Sequence, residues 1–240
     1  MKIDLLAFGA HPDDAELGAA GTLIRAAGSG SATGVVSLTR GEMGTRGDTS
    51  SRAAEFDAAA AAMGLAHHAM LDLPDGRLEC TAASREAVVR ELRELRPAVV
   101  LAPYWEDRHP DHVAASRIVQ EAVFLAGLPR LDTGQEPHRP GGIAYYMAAW
   151  EFEPSFVVDI SSQFERKQAV LRCYASQVYT PDRSSAGPGT FISSEHYWEL
   201  LAARAAHYGR LIGKSYGEPF RIRGLVEVSD LVEAFGGRTF

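Results

Sequence analysis

His-Pro-Asp stands at positions 11–13 and again at 109–111, in the stretches AHPDDAE and RHPDH. Each copy follows a short apolar run and precedes a segment with helical spacing, so each falls between a predicted strand and a predicted helix. In a parallel α/β sheet that position is the C-terminal edge of the strands, where ligands bind. Pro12 and Pro110 fit the first helical position, where a missing N–H costs nothing, and each holds the preceding histidine extended. His11 and His109 are then expected to project from their loops, while Asp14 and His112 ride the first turn of a helix. With the strand order 3-2-1-4-5, strands one and four are neighbours, and the two motifs face each other across one crevice.

That crevice would gather His11, Asp13, Asp14, His109, Asp111 and His112, more titratable groups than packing alone calls for. Two imidazoles and one carboxylate make an open catalytic metal site with a position left for water, whereas a structural zinc is more often closed by four ligands, usually including Cys. Asp and Pro also start helices with no ligand involved. Repetition at matched positions is what argues for chemistry. Two His and one carboxylate describe non-haem iron oxygenases as well, so the ligand types leave the redox class open, and oxygen consumption separates the readings. A nucleotide-binding module is a weaker reading, because HPDD replaces G-x-G-x-x-G after the first strand and no G-x-x-x-x-G-K-[ST] occurs. A metal-storing or regulatory protein without turnover is a third.

The chain has 240 residues, of which 46% are hydrophobic and 23% charged, as in an ordinary globular protein long enough for a sizeable core. A net charge of −7 and a pI near 5.6 argue against a nucleic-acid or anionic-membrane partner, which needs a basic surface. Cys80 and Cys173 are too few for a disulfide framework and suit a reducing compartment. The N-terminus lacks the charged head and long apolar core of a signal peptide, and no run approaches the ~18 apolar residues of a membrane span. A cytoplasmic protein is expected.

Apolar runs and helical segments alternate, the mark of βαβ units. Strands are expected over 3–9, 33–39, 67–73 and 98–104, followed by IAYYMAAW and FVVDI. Helices are expected over 17–27, 52–63, a segment carrying Val88, Leu92 and Leu95, then 113–126 and 194–212. Ser162 and Glu165 read as a capping box opening a helix to about Ser176. The segment LPRLDTGQEPHRPGG reads as a loop, and residues 183–190 as a candidate lid. Trp198, Leu201, Ala205, Tyr208 and Ile212 form a stripe on the late helix, expected as core or subunit contact. His67 and His68 point to opposite faces of a strand, and neither they nor His138, His196 and His207 enter the site.

AHPDDAELGAAGTL and RHPDH resemble the LmbE/PIG-L family of zinc-dependent N-deacetylases, and the resemblance extends through TRGEMGTRGD, LDLPDGRLE, PYWEDRHPDH and ARAAHYGRLIGKSYGEPF. The last stretch is similar to the branch that deacetylates N-acetylglucosaminyl-malate in bacillithiol synthesis. The resemblance implies an α/β, Rossmann-like, mostly parallel sheet flanked by helices, in one domain spanning 1–240, with the metal site at the C-terminal edge of the strands. It implies one Zn²⁺ per subunit, with Fe²⁺ as an alternative, held by His11, Asp14 and His112. Asp13 is implied as general base, His109 as oxyanion partner or acid, and Asp111 as the group orienting His109 and favouring its cation. Arg52 and Asp75 match substrate-binding positions; by residue type alone Arg52 and Glu55 equally make a helix pair, and Pro-Asp-Gly equally makes a turn. Arg46, Arg52 and Arg108 are candidate partners for an anionic conjugate. A homo-oligomer, with a hexamer as the implied size, follows from the resemblance too. Tyr174, in CYASQ, departs from the His that many relatives carry there.

Overall fold

Leu6 and Phe8 of strand β1 (Leu5–Gly9) belong to one buried cluster and Ala7 to another, so both faces of the strand are covered and its sequence is continuously apolar. The computed structural model describes residues 2–179 and 188–236. The parallel core of the sheet is β1, β2 (Thr33–Ser37), β3 (His67–Met70), β4 (Val99–Pro103) and β5 (Gly142–Tyr146). Helices α3 (Ala82–Leu95) and α4 (Pro110–Ala126) cover one face through Val88, Leu92, Ile118 and Val119. Helices α1 (Asp14–Gly28), α2 (Thr49–Met63) and α5 (Phe164–Cys173) cover the other through Leu23, Phe56 and Val170. The expected α/β fold is therefore present, and among the described residues no helix is long and apolar enough to cross a membrane.

The strand order is β3-β2-β1-β4-β5-β7-β6. β1 and β4 are neighbours, with Leu5 beside Val99 and Ala7 beside Leu101, so both His-Pro-Asp loops leave the same edge at the same level. Beyond β5 the sheet departs from the sequence reading: β7 (Gly217–Arg221), absent from it, runs antiparallel between β5 and β6 (Phe156–Asp159). Its GEPFR sequence carries three residues that strands disfavour, Gly217, Glu218 and Pro219. Pro219 is accommodated because the ladder to β5 covers only Phe220 and Arg221. Glu218 is buried because it accepts hydrogen bonds from the N–H groups of Gly21 and Thr22, the Thr22 hydroxyl and the Lys167 ammonium.

Several local expectations change. α1 begins at Asp14 with Asp13 as its cap, so Pro12 lies outside the helix, whereas Pro110 does occupy the first turn of α4. The Ser162–Glu165 capping box does not form, since α5 starts after Gln163 without a side-chain cap and ends at Cys173. Real capping boxes are Asp48 with Ser51 and Thr81 with Ser84, where serine replaces the expected Glu. In α6 (Glu195–Leu211) only Ala205 and Tyr208 of the stripe are buried. A short helix α7 (Leu231–Phe235) follows. The Pro-rich loop before β5 is held from inside by buried Arg93, which donates to the carbonyls of Ala126, Leu128 and Leu131 and to Thr133 Oγ1.

α1 lies unusually close to the sheet at Gly18, where an added Cβ would come within 2.2 Å of the Tyr146 ring. That ring is itself fixed by its hydroxyl, which donates to the Phe8 carbonyl. Gly18→Ala is expected to cost about 1–3 kcal/mol, the usual penalty of overpacking, measured as a lower denaturation midpoint in urea.

Candidate active site

The loops after β1 and β4 meet at the floor of a cavity of about 820 Å³. Asp14, at the start of α1, is its central group. One carboxylate oxygen accepts the His11 N–H at 2.8 Å and lies 3.4 Å from His11 Nδ1, and the other lies 3.1 Å from His112 Nε2. The far nitrogen of each ring is met by carboxylates. His112 Nδ1 is 3.0 Å from Asp107, and His11 Nε2 is 3.0 Å from Asp75 and 3.3 Å from Asp111. A carboxylate opposite one ring nitrogen fixes the proton there and leaves the other nitrogen's lone pair facing inward, the usual arrangement around metal-ligating histidines.

His11, Asp14 and His112 therefore offer two imidazole nitrogens and one carboxylate, a donor set that fits a hard to borderline divalent cation. Burial works to lower the His112 pKa, but Asp14 and Asp107 push it up to about 10. A divalent cation held by these residues would take the place of that proton. His11, Asp75 and Asp111 also lie within reach of one ion. However, Asp75 accepts the Met43 N–H, and Asp111 accepts those of Gly76 and Leu78. Those carboxylates are already occupied as supports of the loop and of His11.

Asp13 adopts φ 122°, a region that non-glycine residues rarely occupy, and is almost fully buried. Burial raises its carboxyl pKa to about 7, against the Arg52 guanidinium 3.6 Å away, with the Asp14 charge adding to the rise. A proton acceptor poised near neutrality suits general-base work. His109 caps α4, with its ring 4.8 Å from those of His11 and His112. Its Nδ1 accepts the Asp111 N–H at 3.2 Å. Burial and the two neighbouring imidazoles lower its pKa, so the ring is a neutral Nε2–H donor.

One implied contact differs accordingly. Asp111 orients His109 through its backbone N–H, not its carboxylate, and this favours the neutral ring over the cation. Asp75 lines the cavity and in addition supports His11, with one oxygen 3.0 Å from His11 Nε2 and the other accepting the Met43 N–H. Arg52 donates to the Pro12 carbonyl at 2.7 Å, while its buried Nε has no partner among the described residues. Its expected helix partner Glu55 bonds Ser176 instead. Of the three candidate arginines, Arg52 and Arg108 line the cavity among the described residues.

Sequence reasoning missed Asp107, although an acidic residue shortly before a ligand histidine is the signal that metal sites provide. Its carboxylate binds His112 Nδ1 and the N–H groups of His109 and Ala149. Burial alone would raise its pKa, but these bonds hold it down to about 2. The far cavity wall was missed as well. It comes from Phe191, Ile192 and, on α6, Tyr197, Leu200, Arg204 and His207. The candidate lid at 183–190 lies mostly outside the described residues.

The family model for GlcNAc-PI de-N-acetylase, PIG-L, matches residues 6–123. The diacetylchitobiose deacetylase of Thermococcus kodakarensis is 32% identical over 88% of this chain and 79% of its own length. The chain belongs to the PIG-L family of N-deacetylases. The family description and this relative both name removal of an N-acetyl group, and this chain is an enzyme of that kind, an N-deacetylase. A 1D-myo-inositol 2-acetamido-2-deoxy-alpha-D-glucopyranoside deacetylase of Catenulispora acidiphila is 29% identical over 85% of this chain and 78% of its own length. The crystal structure of a conserved protein from Thermus thermophilus superposes with a TM-score of 0.85 at 38% identity, covering 95% of this chain and 98% of that one.

Asp107→Asn is expected to weaken Zn²⁺ binding by roughly 10–100-fold while the protein stays folded. Competition with a chromophoric chelator measures it, and unchanged affinity would remove Asp107 from the metal centre.

Proposed function

We propose that this deacetylase removes the acetyl group from an anionic N-acetylglucosamine conjugate, most specifically N-acetylglucosaminyl-malate in bacillithiol synthesis, with one Zn²⁺ per subunit. The observation that carries the hydrolytic reading is the convergence of His11, Asp14 and His112 beside buried, near-neutral Asp13. These residues would hold a divalent cation, which when bound would supply Lewis-acid polarisation of the acetyl carbonyl and a water of pKa about 7. Asp13 takes the proton of the attacking water and passes it to the amine nitrogen as the C–N bond breaks, giving acetate and the free amine. Arg52 keeps Asp13 within reach of that water. His109 donates its Nε2–H to the oxygen that gains charge, a bond worth about 3 kcal/mol if it resembles other oxyanion donors.

The anionic preference rests on Arg108, whose guanidinium lies at the cavity wall 5.0 Å over the Phe191 ring. A guanidinium so placed pairs with a carboxylate bidentately. A second reading is a neutral disaccharide. It draws support from the aromatic and aliphatic outer wall at Phe191, Tyr197 and Leu200, and from the diacetylchitobiose substrate named for one relative. We further read residues 1–240 as one domain of a cytoplasmic enzyme, in keeping with unpaired Cys80 and Cys173. The proposed homo-oligomer, with a hexamer as the size to test by light scattering, is supported by exposed Leu225, Val226, Leu231 and Val232 near the C-terminus.

Metal-stripped protein is expected to release acetate from N-acetylglucosaminyl-malate only after Zn²⁺ is restored, and Asp13→Ala to lose about 10²–10⁴-fold in kcat. Turnover without added metal, or an active Asp13→Ala, would overturn the mechanism. Arg108→Ala is expected to raise KM for the malate conjugate by about tenfold, near 1.4 kcal/mol, while leaving N-acetylglucosamine and diacetylchitobiose unaffected. Preference of the native enzyme for diacetylchitobiose would favour the second reading.

A further inference from the structure

Two residues that the mechanism does not use form a buried polar pair directly behind the base. Glu16, the third residue of α1, is 0% exposed, and so is Tyr174, which follows the last turn of α5. The Tyr174 hydroxyl donates to Glu16 Oε1 at 2.7 Å. The second Glu16 oxygen has no partner among the described residues. A half-satisfied buried carboxylate is disfavoured, and an apolar pair would pack these helices more cheaply.

Asp13 supplies a reason for keeping it. Its φ of 122° is strained for a residue with a side chain, and such a conformation persists only where its surroundings over-determine it. On the loop side, Arg52 holds the Pro12 carbonyl. On the helix side, the Asp13 carbonyl accepts the Leu17 N–H at 2.8 Å, so the first turn of α1 closes on Asp13 and contains Glu16. Tyr174 ties that turn to a well-anchored segment. Its own carbonyl accepts the N–H groups of Gln177 and Val178, Ser176 donates twice to Glu55 on α2, and Gln177 donates to the Arg46 carbonyl. Gln177 reaches the cavity, whereas Tyr174 does not line it.

We propose that Glu16 and Tyr174 are positioning residues, a brace that keeps the first turn of α1, and with it the strained Asp13 peptide, in register with the substrate cavity. The inference rests on Asp13 being the proton acceptor. Neither residue touches the substrate; both act through the backbone.

The test compares Tyr174→Phe, Glu16→Gln and the double apolar variant Glu16→Leu/Tyr174→Phe in the zinc-loaded enzyme. Hydrogen–deuterium exchange across residues 13–17 provides a readout separate from activity. Tyr174→Phe is expected to lower kcat by about 10–100-fold, the scale of a misplaced catalytic group, with KM within about twofold and zinc content unchanged. Exchange across 13–17 should become faster. Glu16→Gln keeps an acceptor for the Tyr174 hydroxyl and should stay within a few-fold of the native kcat. The double variant should regain the melting temperature lost in Tyr174→Phe without regaining kcat. A double variant that recovers both would make the pair ordinary packing, and native kcat in Tyr174→Phe would overturn the proposal outright. If Asp13→Ala retains activity, the reading of the base fails by itself. Unchanged exchange at 13–17 in Tyr174→Phe would still refute the brace independently.

Discussion

The carboxylate of Asp14 joins two halves of the sheet. One oxygen faces His11, delivered by β1, and the other faces His112, delivered by the helix after β4. This works only because β1 and β4 pair side by side, with Leu5 next to Val99. Around that point Asp13, Asp14, Asp75, Asp107 and Asp111 are all nearly inaccessible. Burying so many carboxylates together is unfavourable unless positive charge and hydrogen bonds answer them. Backbone N–H groups, Arg52 and two imidazoles answer part of it. A divalent cation is the natural remainder, and burial, with the Asp14 charge beside it, leaves Asp13 able to hold a proton near neutrality.

Much of this was legible in the sequence for a local reason. Each His-Pro-Asp lies within a few residues of a strand end and a helix start, so short-range rules of proline and capping locate it. What those rules cannot see is long-range. Asp107 reads as one more acid in WEDR until the fold turns it toward His112. Asp75 reads as turn chemistry until the loop folds onto His11. β7 was missed because Pro219 and Glu218 contradict strand propensity, and the α1 groups that make Glu218 acceptable lie about two hundred residues away. The α6 wall was missed for the same reason: the apolar stripe draws the eye, yet of its residues only Leu201 borders the cavity, and Tyr197, Leu200, Arg204 and His207 beside it supply the wall. The two motifs also differ in detail, since strain at Asp13 delays the first helix by two residues relative to its proline.

The cavity divides its labour by origin. Its floor comes from loops at the sheet edge, rigid and polar, and fits a reaction common to an amide whatever sugar conjugate carries it. Its rim comes from Phe191, Ile192 and α6, on elements that contact the sheet mainly through β7. Relatives are named for inositol and chitobiose conjugates, and changes confined to such a rim would alter what is accepted without altering the chemistry.

The position of β7 between β5 and β6 has a consequence for synthesis. β6 leaves the ribosome well before residues 217–221, and it has no strand to pair with until they emerge. The parallel half of the sheet, with both His-Pro-Asp loops, can assemble while the chain is still growing. β6 meanwhile presents an open edge, a temporary hazard for association with other chains. Late arrival of Glu218, which locks α1 through Gly21, Thr22 and Lys167, makes the emergence of β7 the event that tightens the helix carrying Asp14.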